Sequence, residues 1–152
     1  MPSINKRNFA KELNEDVLRV LGVHSGQRLD PTALADYGEQ HYQSIRDDLA
    51  NYTSRAKRRR MIELIKRVKF PGTNVPAYVP YYDVFVQCDG EQKQIMFWKH
   101  MEAMNRDEMT TAVEIKRRNK DAVNASFQEF LDVANSLWPQ HKPYEYGDWS
   151  AD

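Results

Sequence analysis

The chain has one cysteine, Cys88, among its 152 residues, so no disulfide can form within it. Such a composition is typical of a reducing compartment, and it predicts a soluble, cytoplasmic protein. No run approaches the roughly 18 consecutive apolar residues that a membrane helix needs. The first 12 residues are polar and lack the apolar segment of a signal peptide. These absences argue against a secreted or membrane-bound protein.

The chain also lacks the motifs by which small enzymes and metal sites are recognised. Its four histidines are scattered, its six glycines are isolated, and no Cys or His pair has the spacing of a zinc site. Cys88 precedes an acid, Asp89, which opposes formation of a reactive thiolate. The sequence therefore predicts no catalytic residue, no metal and no cofactor. A small enzyme whose site is assembled only by the fold is a further alternative.

Net charge is zero, because 22 basic residues balance 22 acidic ones, but the charge is unevenly distributed. Residues 55–69, here called the first basic knot, hold eight basic residues and one acid. Residues 116–120, the second basic knot, hold four basic residues and no acid. The rest of the chain then has ten basic residues against 21 acids. Zero net charge thus conceals basic segments on an acidic body.

Hydrophobic periodicity predicts an α+β fold that is predominantly helical, with three to four helices, two of them long, and one β-hairpin. The first helix covers residues 8–21. Asp30-Pro31 predicts the next start, because aspartate can cap exposed amides and proline fits the first helical position. The element that follows spans residues 31–69, either as one helix or as two that bend near residues 51–54.

In the second half of the chain, the apolar residues no longer follow the helical spacing throughout. Asp89-Gly90 is a turn dipeptide between two β-prone segments, which predicts a hairpin at about residues 81–98. Asn105 and Glu108 have the spacing of a capping box, so they predict the start of a last helix over residues 106–138. An isolated hairpin is marginally stable, and it is therefore expected to pack on the helices.

The first basic knot is amphipathic, with apolar residues on one face and basic residues roughly opposite. Arginine suits phosphate and carboxylate groups, so the ridge fits a nucleic-acid backbone or an acidic protein surface. The ordinary interpretation is a solvated face whose charges pair with acids on neighbouring helices. The sequence leaves open whether the two knots lie on one face. The predicted contact residues are Arg55, Arg58, Arg59, Arg60, Lys66, Arg67, Lys116, Arg117 and Arg118.

The predicted single domain covers residues 1–138 and leaves an acidic, aromatic tail at residues 139–152. Tyr144, Tyr146 and Trp149 in this tail suit either a docking peptide for another protein or rings that fold back over the core. Apolar residues over 34–56 form a seam, which suits either a homodimer through long helices or the core of one chain.

Residues 81–120 read YYDVFVQCDGEQKQIMFWKHMEAMNRDEMTTAVEIKRRNK. The segment combines a short hairpin, then Phe-Trp, then a capped helix with a basic knot. In this combination it resembles small phage and prophage proteins of unassigned role. The resemblance implies a phage-type accessory protein that acts inside a bacterial cell, and it carries no catalytic residues. The leading hypothesis is thus a non-catalytic binding or regulatory protein that contacts nucleic-acid phosphates. The alternative is an interaction module or inhibitor that docks on a host or phage protein.

Overall fold

The computed structural model describes residues 6–119 and 125–145. The chain divides into two compact units, Met1–Val68 and Lys69–Asp152. The prediction of one domain over residues 1–138 stays a prediction, because two compact units can belong to one folding domain. Within the described residues, no helix is long and apolar enough to cross a membrane.

The first unit is helical, and the second combines a hairpin with helices. The first unit comprises α1 (Lys6–Val23), α2 (Pro31–His41), α3 (Gln43–Leu49) and α4 (Ser54–Lys66). The second unit comprises β1 (Tyr78–Val86), β2 (Gln92–His100), a short 3-10 turn (Met101–Ala103), α5 (Arg106–Arg118) and α6 (Ala125–Leu137). The α+β, mainly helical class is confirmed. The predicted number of helices is wrong, since the described residues contain six rather than three or four.

The element predicted over residues 31–69 is three helices rather than one or two. Tyr42 has φ −133° and ψ 120°, so the extended backbone at this residue separates α2 from α3. Thr53 is also extended, and its side chain accepts a hydrogen bond from the Ala56 amide, which starts α4. The apolar period runs across both breaks, because each helix turns its own apolar face to the core.

The helix predicted over residues 106–138 is likewise two helices. α5 ends at Arg118, where Asn119 takes extended angles (φ −70°, ψ 137°), and α6 begins at Ala125. The capping box is confirmed at the start of α5: Asn105 accepts from the Glu108 amide at 2.8 Å, and Glu108 accepts from the Asn105 amide at 2.9 Å.

The four helices of the first unit pack around a shared core, with α1 against α2, α3 and α4, and α2 against α3 and α4. The cap predicted at Asp30 is confirmed, since its carboxylate accepts from the Thr32 amide at 3.2 Å and Pro31 opens α2. The apolar seam is part of this core: Leu34, Ile45 and Leu49 are each no more than 2% exposed. The predicted homodimer therefore gains no support from an exposed seam.

Gly38 is the point of closest approach between α2 and α3. A Cβ atom added there would lie 2.8 Å from Cγ2 and 2.9 Å from Cδ1 of the fully buried Ile45. We expect Gly38→Ala to lower the free energy of unfolding by about 1–2 kcal/mol, because overpacking outweighs the gain in helix propensity. Gly22→Ala in α1 is the matched control, since no atom lies within 4 Å of the added Cβ.

Urea unfolding of the two variants measures the difference. The control is expected to gain up to about 1 kcal/mol, because alanine replaces glycine inside a helix without a clash. Equal gains in both variants would show that α2 and α3 approach less closely than described.

The hairpin of the second unit is confirmed and is longer than predicted. β1 and β2 pair antiparallel from Tyr78↔His100 to Val86↔Gln92. Gly90, with φ 86°, lies in the connecting loop, where a left-handed conformation favours glycine. β1 packs on α5, and α5 packs on α6. The buried residues of this core include Val79, Tyr81, Met101, Met109, Ala112, Val113, Phe127, Phe130, Leu131 and Ala134.

Candidate nucleic-acid interface

The first basic knot lies mainly on α4, whose buried face is formed by Met61, Leu64 and Ile65. These three residues recur at steps of three and one, which places them along one side of the helix. The basic residues of the helix divide into two sets. One set is paired with acids of the same unit, and the other faces away from the core.

Lys57 and Arg58 belong to the paired set. The Lys57 Nζ lies 3.0 Å from the Glu39 carboxylate. The Arg58 guanidinium forms an ion pair with Asp30 and donates to Thr32 Oγ1 at 3.1 Å. Both pairs join α4 to α2 or its cap. The ordinary interpretation of the knot, in which its charges pair with acids of neighbouring elements, therefore applies to these two side chains.

Arg60 is held most firmly of all the basic residues on α4. Its Nε and Nη2 donate to the two carboxylate oxygens of Asp48 at 2.9 and 3.0 Å, and its Nη1 donates to Glu63 at 3.1 Å. The hydrogen bonds that Arg60 donates to Asp48 raise the pKa of the Arg60 guanidinium. Only 19% of the Arg60 side chain and 10% of the Asp48 side chain are exposed. Arg60 therefore joins α4 to α3 and is poorly placed to meet a ligand.

The second set is exposed and is here called the outer row: Arg55, Arg59 and Lys66 on α4, with Arg67 at its C-cap. Within the described residues, Arg55, Arg59 and Arg67 have no acid in ion-pair range. Arg55, Arg59 and Lys66 are spaced by four and seven residues, so they share one face of the helix. From Arg55 to Lys66 the row is about 16 Å long.

Arg55 stands where a helix disfavours positive charge. It lies in the first turn of α4, which contains no acid. The helix macrodipole places partial positive charge at this end, so a cation there costs about 0.3–1 kcal/mol. Lys57 and Arg58 are compensated by Glu39 and Asp30, whereas Arg55 is not. The macrodipole therefore gives no reason for a basic residue at this position.

The second basic knot has a structural explanation. Lys116, Arg117 and Arg118 occupy the last turn of α5, where the macrodipole favours cations. The Lys116 ammonium lies 5.6 Å from the centre of the Phe130 ring. Arg117 donates to Glu114 at 3.2 Å and to the backbone carbonyl of Glu145 at 2.7 Å, whereas Arg118 is exposed.

The described part of the tail folds back on its own unit. The Tyr144 amide donates to Asn135 Oδ1 at 2.8 Å, and Asn135 Nδ2 donates to the Tyr144 carbonyl at 3.0 Å. The Tyr144 hydroxyl lies 2.8 Å from Thr110 Oγ1. Tyr144 thus packs on the core rather than standing free. Tyr146 and Trp149, the other two residues of the predicted docking peptide, lie outside the described residues.

Over residues 6–119 and 125–145, no group of three or more His, Cys, Asp or Glu side chains could hold a metal ion. Cys88 is exposed within the hairpin turn. His24 and His100 are each engaged locally: His24 Nδ1 lies 2.8 Å from the Val20 carbonyl, and His100 Nδ1 accepts from the Glu102 amide.

The individual acids that pair with basic residues of α4 were not predicted, because they lie far away in the sequence. Asp48 is 12 residues from Arg60, and Glu39 is 18 residues from Lys57. The one available signal was Asp30, which was recognised as a helix cap and also holds Arg58.

In comparisons with known proteins, no family, no curated protein and no solved structure matches this chain.

Proposed function

We propose that this chain is a non-catalytic binding protein that contacts nucleic-acid phosphates through the outer row of α4. The observation that carries the proposal is the exposed set of arginines at Arg55, Arg59 and Arg67, which the acids of the first unit leave unpaired among the described residues. Arg55 places a positive charge in the first turn of α4, where the helix macrodipole disfavours it. Departures of this kind from local stability are expected at functional positions. The resemblance to phage proteins supports an accessory role inside a bacterial cell.

The outer row suits a phosphate backbone better than base edges. Over about 16 Å a duplex carries roughly ten phosphates, so the row meets acceptors in any register. Arginine forks are matched to phosphate oxygens and bind them in pairs. The expected binding is therefore electrostatic and largely independent of base sequence.

Titration of labelled duplex DNA, single-stranded DNA and RNA across a salt series tests the proposal. With four phosphate contacts, the slope of log affinity against log salt is expected to be about −3.6 on duplex and about −2.8 on single strands. Affinity that is absent even at low salt would rule out the nucleic-acid function. A slope near zero would show that the contacts are not ionic.

Docking on another protein is a second candidate, and the hairpin supports it. Val84 is 49% exposed and Val86 is 70% exposed, and alternate residues of a strand share a face. An apolar contact of this kind predicts weak salt dependence, in contrast to the outer row. Capture of a protein partner that is lost in a Val84→Ser/Val86→Ser variant, and kept in a variant of the outer row, would favour it.

A further inference from the structure

Residues 142–145, here called the strap, cross α5 and α6 and are held through their backbone and through the Tyr144 side chain. Besides the paired bonds between Asn135 and Tyr144, Arg106 Nη2 donates to the Lys142 carbonyl at 2.7 Å. Arg117 Nη2 donates to the Glu145 carbonyl, also at 2.7 Å. Because the groups that these arginines contact are common to every residue, another chain of acceptors could replace them.

Arg106 and Arg117 lie 11 residues apart on α5, which places them on one face about three turns apart. Each has a guanidinium nitrogen that the strap does not satisfy. Within the described residues, Arg106 Nη1 and Arg117 Nε are buried and have no hydrogen-bond acceptor. A carbonyl offers one oxygen, whereas a phosphate offers several, so a phosphate matches a guanidinium fork better.

The one strap side chain that contributes strongly is an aromatic ring. The Arg106 guanidinium carbon lies 4.0 Å from the centre of the Tyr144 ring and 5.6 Å from the centre of the Trp138 ring. Stacking on aromatic rings and on arginine is how proteins hold the bases of single strands. The strap therefore supplies these arginines with two backbone oxygens and a ring, and a single strand offers the same kinds of group as phosphates and bases.

We propose that the strap occupies a second nucleic-acid site in cis, and that a single strand displaces it. Phosphate oxygens would then accept from Arg106 and Arg117, and a base would stack at Arg106 and Trp138 in place of Tyr144. The proposal rests on the proposed function for the class of partner, and it adds a separate groove and a preference for single strands. A duplex keeps its bases inside and cannot fill the position of the ring.

Release of the strap by Asn135→Ala tests this competition in the full-length chain. Hydrogen exchange at the Tyr144 amide reports the release, because this amide donates to Asn135. We expect faster exchange and about tenfold tighter binding of a labelled oligothymidine, because both arginines then become available to phosphates. Duplex affinity should not change. Gln128→Ala on the same helix is the control, since Gln128 is exposed and its side chain, among residues 6–119 and 125–145, donates to Asp132 alone.

Adding Arg117→Gln to the Asn135→Ala variant should remove the gain in oligothymidine affinity. If the amide stays protected in Asn135→Ala, Tyr144→Ala releases the ring instead, and the same criteria apply. Faster exchange with unchanged oligothymidine affinity overturns the inference and leaves the outer row untouched. A gain that persists when the outer row is reversed supports a separate groove. A gain in Asn135→Ala in a chain whose outer row does not bind nucleic acid contradicts only the proposed function.

Discussion

Reversing the charge of Arg55, Arg59 and Arg67 together is expected to weaken nucleic-acid binding at least about 100-fold and to leave the fold intact. The loss is large because three phosphate contacts disappear and three carboxylates repel the backbone in their place. The salt slope on duplex should fall in magnitude from about 3.6 to below about 1. Fluorescence anisotropy across a salt series measures both quantities.

The fold should tolerate this change because these side chains are exposed and have no acidic partner among the described residues. Exposed substitutions away from such partners usually change stability by less than about 0.5 kcal/mol. Glutamate at position 55 also favours the first turn of α4, and glutamate at position 67 opposes the last turn by a similar amount. The melting temperature is therefore expected to stay close to that of the wild type.

A charge-matched variant separates local contact from net charge. Lys11→Glu/Arg28→Glu/Lys93→Glu changes the net charge equally at three exposed positions outside the outer row and the strap. It should weaken binding by less than about tenfold, because only long-range repulsion is added. Equal losses in the two triple variants would show that α4 is no special contact surface.

The sequence was most informative where a structure depends on neighbouring residues. Asp30 as a helix cap and the capping box of Asn105 and Glu108 follow from local hydrogen bonds, and both were predicted. The break at Tyr42 depends on tertiary packing, since Gly38 allows α3 to fold back closely against α2. Periodicity alone cannot distinguish two helices that bury successive apolar faces from one helix that buries a continuous stripe.

The same limit applies to the candidate site. A helical wheel correctly places Arg55 and Arg59 opposite the apolar face, because that face is a local property of α4. The wheel groups Arg60 with them, although its guanidinium is bound by Asp48 from α3. Pairing of charges between helices depends on the packing of those helices, which a single sequence does not specify.

Replacement of Arg60 by glutamine is the second large effect, and it concerns stability rather than binding. The variant loses both hydrogen bonds to Asp48 and leaves this carboxylate, whose side chain is 10% exposed, without its guanidinium. Removing one partner of a fully buried ion pair costs about 3–5 kcal/mol, and partial exposure of Arg60 reduces the expected cost to about 2–4 kcal/mol. Urea unfolding measures the change in the free energy of unfolding.

Arg59→Gln is the control, because the neighbouring arginine is exposed and should change stability by less than about 0.5 kcal/mol. A double-mutant cycle with Asp48→Asn isolates the pair, and a coupling of about 1–3 kcal/mol is expected for residues in direct contact. Nucleic-acid affinity, measured at a temperature where each variant is folded, should show the reverse pattern. Arg59→Gln should weaken binding, and Arg60→Gln should not. Stability losses of equal size, or a binding defect confined to Arg60→Gln, would overturn the division of α4 into a paired set and an outer row.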